Sequence, residues 1–171
     1  MIIGSAQLEK RLTKMAMVDV RPALEKGIRM VRANAQSNAP VRNGELRNKI
    51  MTDVQSVRGG YRAVCWPNVS YAMYVEFGTG PKGQANHAGV SPEVSVAYSQ
   101  SPWWIHEGPG DNEVDRATAE YYHWSYIETK NGRFYHCAGQ AAQPFLYPAL
   151  KDHEDEILRV MEDEIRRQLK K

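Results

Sequence analysis

His106-Glu107, with Asp111 following, sets an imidazole beside two carboxylates, the ligand and base types of a metal-dependent hydrolase. A zinc-protease helix needs a second histidine one turn away, and Gly108-Pro109-Gly110 interrupts any helix here, so the run reads as a turn. Gly78-Thr79-Gly80-Pro81-Lys82-Gly83 has the glycines and the lysine of a phosphate loop. It lacks the Lys-Ser/Thr ending, and no apolar strand leads into it. No Gly-x-Ser-x-Gly occurs, so a nucleophile elbow is absent. His123, His136 and Cys137 share one predicted hairpin. A two-residue Asn131-Gly132 turn sets Ile127 opposite His136 and Tyr126 opposite Cys137, which leaves His123 near residue 140, away from both candidate ligands. Asp152 with Asp155 or Glu156 falls on the solvent side of a helix. The expectation is a protein that is not an enzyme and has no catalytic, metal or cofactor residues, with the hydrolase kept as an alternative.

The composition, 42% hydrophobic and 25% charged over 171 residues, is that of one ordinary soluble domain. No apolar run reaches membrane-spanning length, and Glu9, Lys10 and Arg11 interrupt any signal-peptide core, so no membrane partner is expected. Cys65 and Cys137 are the only cysteines, which excludes a disulfide framework and suits a reducing cytoplasm. The net charge of +2 is unevenly spread: +6 over residues 1–50, −3 over 51–139 and −1 over 140–171. Arg21, Lys26, Arg29 and Arg32 fit a phosphate-facing helical stripe, the basis of an alternative DNA-binding reading. A solvated polar face is the commoner use of such a pattern.

The elements follow from periodicity and punctuation. A short helix is expected over Ser5–Met17. A second is expected from Asp19, as its cap, to the stop at Pro40, with Val20, Leu24, Gly27, Ile28, Val31 and Ala35 on its buried face. Lys49–Val57 and Tyr61–Trp66 form an antiparallel hairpin about Gly59-Gly60. Ser70 caps a short helix over 71–77 that Gly78 closes in the left-handed conformation. Residues 81–139 read as an insertion whose runs 121–129 and 133–137 flank Lys130-Asn131-Gly132, a protruding two-stranded arm. A final helix spans about 148–171, with Leu150, Ile157, Met161, Ile165 and Leu169 on one face and acids first, bases last. The fold class is therefore α+β, one domain over 1–171, with a core of 1–80 and 140–171.

Aromatic residues concentrate between positions 71 and 135: Tyr71, Tyr74, Phe77, Trp103, Trp104, Tyr121, Tyr122, Trp124, Tyr126, Phe134 and Tyr135. Tyr and Trp are enriched at protein interfaces, and a two-stranded arm has no core of its own. This predicts a subunit whose aromatic surface is covered in an assembly.

Three segments together resemble the tail-component family of long-tailed bacteriophages. They are Ala39-Pro40-Val41-Arg42-Asn43-Gly44-Glu45-Leu46-Arg47, Tyr71-Ala72-Met73-Tyr74-Val75-Glu76-Phe77-Gly78-Thr79-Gly80, and Gln143-Pro144-Phe145-Leu146-Tyr147-Pro148-Ala149-Leu150. Asn43 stands where such proteins more often have Thr, Met73 where Pro is common and Tyr147 where Arg is frequent. The resemblance implies helices packed on an antiparallel sheet. It also implies a non-catalytic virion subunit of the neck, a tail-completion or head–tail joining protein forming a ring, commonly a hexamer, and assembled in the host cytoplasm. Its partners would be copies of itself and a connector, tail tube or terminator, with non-specific contact to DNA passing through the ring. The expected subunit contact uses Tyr71, Tyr74, Phe77 and Thr79, with Glu76 meeting Arg42 or Arg47. The expected arm contact uses Trp103, Trp104, Trp124, Asn131, Gly132 and Phe134, reaching a neighbouring subunit or the next ring.

Overall fold

The computed structural model describes residues 5–110 and 113–170. In chain order the elements are α1 (Ser5–Ala16), α2 (Arg21–Asn38), α3 (Glu45–Asn48), β1 (Ile50–Val57), β2 (Gly60–Pro67), α4 (Ala72–Phe77), α5 (Gly80–Ala85), β3 (Trp103–Glu107), β4 (Glu113–Val114), α6 (Arg116–Tyr121), β5 (Tyr126–Thr129), β6 (Gly132–Cys137), α7 (Leu146–Lys151) and α8 (Glu154–Lys170). The fold is mixed α+β, as expected. Two compact units divide it: Met1–Val69 with Phe145–Lys171, and Ser70–Pro144. The expected 81–139 insertion lies inside the second unit.

In the first unit α2 packs against α7 and α8 and against both strands of the β1–β2 hairpin. Asp19 Oδ1 accepts a hydrogen bond from the Arg21 amide at 3.0 Å, so the expected carboxylate does satisfy a first-turn donor. The capping position itself is Val20, which is exposed and lies off the buried face. Gly27, Val31 and Ala35 are buried as expected and Ala23 completes a strict four-residue repeat, while Leu24 and Ile28 are half-buried beside it. Gly27 sets the helix spacing: a Cβ there would stand 2.8 Å from Met161 Sδ and 3.3 Å from Ile157 Cγ2. Ala39 is extended, with ψ of 127°, as a residue before proline must be, and α2 ends there.

α2 and α8 run antiparallel, since Gln168 bonds both the amide and the carbonyl of Asp19 while Lys26 pairs with Glu164. Glu164 is a buried carboxylate on the otherwise apolar face of α8. Arg167 at 2.7 Å and Lys26 at 2.5 Å hold its ionised form and lower its pKa to about 2. The single last helix expected from the sequence is two helices, broken at Asp152-His153. Leu150 sits on the short α7 at 51% exposure rather than on the buried face. The hairpin turn is Arg58-Gly59, one residue earlier than expected, because Gly59 takes φ +87° and Val57 pairs with Gly60. Ile50, Thr52 and Val54 alternate with exposed Met51, Asp53 and Gln55, so one sheet face is covered and the other is open.

The second unit departs from the expected arm. Its hairpin is widened to a four-stranded sheet, β4-β3-β6-β5, because Trp103–His106 pairs with β6. Tyr135 and Cys137 are therefore buried, and the segment has a core. The expected strand from residue 121 begins only at Tyr126. Asp115 Oδ1 accepts from the Thr118 amide at 2.9 Å and starts α6, and His123 at φ +53° then breaks the chain direction. The β5–β6 turn is Lys130-Asn131, so Ile127 faces Phe134 and Tyr126 faces Tyr135, not His136 and Cys137. The short α4 is capped by Tyr71 without a side-chain bond, so Ser70 does not serve. Gly78 takes φ 73° with ψ 177°, a conformation open to glycine rather than the left-handed helical one.

Gly27→Val is expected to lower stability by about 1–3 kcal/mol by forcing α2 off Met161, measured by thermal or urea denaturation. The folded-state pKa of Glu164 lies below its unfolded value. Its contribution is therefore present above about pH 4.5 and is lost as pH falls towards 2. Glu164→Gln should melt below wild type at neutral pH and show a shallower decline on acidification.

Candidate functional site

The segment Phe77-Gly78-Thr79-Gly80 is set by a close backbone crossing with residues 138–142. The Thr79 amide donates to the Gln140 carbonyl at 2.9 Å, and the Gln140 amide donates back to the Thr79 carbonyl at 3.1 Å and to its Oγ1 at 3.1 Å. The crossing needs glycines on both sides. A Cβ on Gly139, at φ +83°, would overlap the Thr79 carbonyl. One on Gly78 would stand 2.7 Å from the Ala142 nitrogen, and one on Gly80 2.7 Å from the Trp103 ring. Gln140 Nε2 donates to the Tyr74 carbonyl at 2.7 Å, the Gln143 amide to the Val75 carbonyl at 2.8 Å and the Tyr98 hydroxyl to the Phe77 carbonyl at 2.7 Å. The last carbonyls of α4, which helix geometry leaves without partners, are thereby satisfied.

With α4 pinned, its faces divide. Ala72 and Glu76, four residues apart, are buried. Met73 and Tyr74 point out, at 67% and 59% exposure, with Tyr71 beside them at 38%. Of the residues expected at a subunit contact, Tyr71 and Tyr74 are exposed, Phe77 and Thr79 are half-buried, and Glu76 is buried. Arg42 and Arg47 are exposed on the first unit. The sequence pattern had omitted Met73, although it is the most exposed of the group.

The residues expected on the arm scatter over the second unit. Trp103 packs on Gly80, and Trp104 is half exposed with its ring 4.9 Å from that of His136. Trp124 stacks on Tyr122 at 5.6 Å, and Phe134 lies 4.9 Å from the His106 ring. Asn131 and Gly132 are exposed at the end of the β5–β6 hairpin. β5 is an edge strand with every residue exposed, Tyr126 and Ile127 included, and Arg133 covers the Tyr126 ring at 4.2 Å.

The hydrolase candidates are held in ion pairs. Glu107 Oε2 accepts from the Tyr135 hydroxyl at 2.6 Å and Oε1 from Arg116 at 3.0 Å, and these bonds keep its pKa below the usual carboxylate range. His106 lies between Glu113 and the Asn131 carbonyl. Asp111 is outside the described residues. Cys137 is buried, with its thiol pKa raised by that burial. Among the described residues no group of three or more His, Cys, Asp or Glu side chains is placed to hold a metal. The basic stripe on α2 is broken up as well: Arg21 pairs with Glu25, Lys26 with Glu164, and Arg32 is half-buried.

The geometry is that of an α+β protein with an exposed tyrosine-methionine ridge on a glycine-pinned helix. Residues 5–78 match the HK97-gp10-like family model, described as "Bacteriophage HK97-gp10, putative tail-component", so this part of the chain is similar to a bacteriophage tail component. The matched stretch runs from α1 through α2 and the β1–β2 hairpin to the end of α4. No curated protein and no solved structure matches the chain.

Gly139→Ala is expected to cost about 2–5 kcal/mol, since the new methyl meets the Thr79 carbonyl in a left-handed backbone. Tyr74→Ser, on the exposed ridge, should change stability by no more than about 0.5 kcal/mol. Thermal denaturation followed by circular dichroism reads both.

Proposed function

We propose that this chain is a non-catalytic tail-completion or head–tail joining subunit that assembles with copies of itself into a ring in the neck of a long-tailed phage. The observation that carries the reading is the family match over residues 5–78, which describes a tail component. The ridge of Tyr71, Met73 and Tyr74 supplies a contact surface at the end of that matched stretch. In this reading the exposed Arg42 and Arg47 of a neighbouring copy supply cations to the contact, and the half-buried Phe77 and Thr79 contribute at its margin.

Charge is divided so as to favour head-to-tail contact between copies. The first unit has eighteen Lys and Arg against twelve Asp and Glu, and the second has four against eight, giving +6 and −4. Opposite charge on two different surfaces of one chain favours a heterologous contact, and such a contact makes a ring when its rotation closes. Connector, tail-tube or terminator proteins are the other partners in this reading, reached by the exposed Trp104, Tyr126 and Ile127 of the sheet unit. The virion is its location and the host cytoplasm its site of assembly.

Met73→Asp combined with Tyr74→Ser tests the contact. Mass photometry of the purified chain, alone and with tail-tube and connector proteins, should show apparent assembly affinity reduced by about tenfold or more, with the melting curve of the isolated chain unchanged. Assembly equal to wild type would overturn the ridge as the contact. A chain that never self-associates, alone or with those proteins, would overturn the ring.

A further inference from the structure

In the sheet unit, His106 on the inner strand β3 is clasped from two sides. Its Nδ1 lies 2.7 Å from Glu113 Oε1 on β4, and its Nε2 lies 2.9 Å from the Asn131 carbonyl in the β5–β6 turn. A carboxylate and a backbone carbonyl only accept hydrogen bonds, so both ring nitrogens must donate, and only the doubly protonated imidazolium does so. The site is shaped for that ring. A Cβ on Gly132, at φ +113°, would stand 2.7 Å from Nε2. A Cβ on Gly108 would overlap the Glu113 carboxylate, and one on Gly110 would stand 2.9 Å from it. Glu113 is itself aimed, since its Oε2 accepts from the Gly110 amide at 2.9 Å.

We propose that His106 is a proton-operated latch: as an imidazolium it ties Glu113 of β4 to the Asn131 carbonyl of the β5–β6 turn, and on losing its proton it keeps the charged carboxylate and releases the turn. The groups facing it are Glu113 from β4, the Asn131 carbonyl from the turn and the Phe134 ring from β6, with Glu107 of β3 adding attraction at longer range. The charges that act on it are those of Glu113 and Glu107, and Glu107 is itself paired with Arg116 and Arg133. The bond to Glu113 and then that to Asn131 raise the pKa of His106, while His106 lowers that of Glu113. The latch is therefore closed between the titration of Glu113 on the acid side and that of His106 on the alkaline side. Its contribution is fully present below the ordinary histidine value and is lost as pH rises through the raised one.

The latch determines how firmly the edge strand β5 is held at its turn end, and it operates whether or not the chain is a ring subunit. Two measurements on the full chain test it. NMR titration of the His106 ring should show both nitrogens protonated at about pH 6.5 and a pKa above the usual histidine value of about 6.5. Hydrogen exchange, corrected for intrinsic pH dependence, should show the Asn131 amide, which donates to Thr129 Oγ1 within the turn, losing about tenfold of its protection as His106 deprotonates, a step missing in His106→Gln. An imidazole titrating at or below the ordinary value would overturn the latch. So would Asn131 amide protection in the wild-type chain that stays constant through the His106 titration, a readout that does not depend on the variant folding.

Discussion

The backbone bridge between Thr79 and Gln140, with Gly139 pressed against the Thr79 carbonyl, organises the second unit. Two chain segments sixty residues apart pair there at a distance that only glycine permits, and each amide finds the other's carbonyl. Burying two polar backbones against each other is favourable only when both are satisfied, because an unpaired buried amide costs more than a bond contributes. From this contact follow the position of α4, the packing of Trp103 on Gly80, and the capture of the last α4 carbonyls by Gln140, Gln143 and Tyr98. A six-residue helix has little stability of its own in water. Here its orientation is imposed from below, so its outward residues present a fixed surface.

The first unit relies on a different constraint, close helix contact over small residues. Ala23, Gly27, Val31 and Ala35 let α2 lie against α8 on one side and the β1–β2 hairpin on the other. Glu164 introduces a charge into that contact. Its two cations resolve the desolvation penalty that an unpaired carboxylate would carry there. The hairpin gains stability from α2, and its outer face stays open.

Much of this was legible from local pattern. The helix before Pro40, the strands on either side of Gly59, the short helix before Gly78 and the charge gradient along α8 all follow from periodicity and punctuation, and they are where the family resemblance lies. Pairing between distant segments was not legible. Nothing local says that Trp103–His106 joins β6, and without that strand the aromatic insertion reads as an arm lacking a core. The Asn131-Gly132 signal located the hairpin but placed its turn one residue late, which shifts the cross-strand register by two, because the turn is Lys130-Asn131 and Gly132 makes room for the His106 ring. α6 was hidden in an aromatic run, although Asp115 and Thr118 three residues apart carry its cap. Of the candidate contact surface, the tyrosines were legible from their type. Glu76 was not, because a carboxylate between aromatic residues reads as a surface charge, whereas its place one turn after Ala72 puts it inside.

The tail-component reading joins these strands into one claim: the outward ridge of α4 is exposed in the isolated chain and covered when the protein is in place. Hydroxyl-radical footprinting of Tyr71, Met73 and Tyr74, compared between the isolated chain and assembled particles, measures that directly. The account predicts strong oxidation of all three in the isolated chain and marked protection in the particle. Equal oxidation in the two states would contradict it.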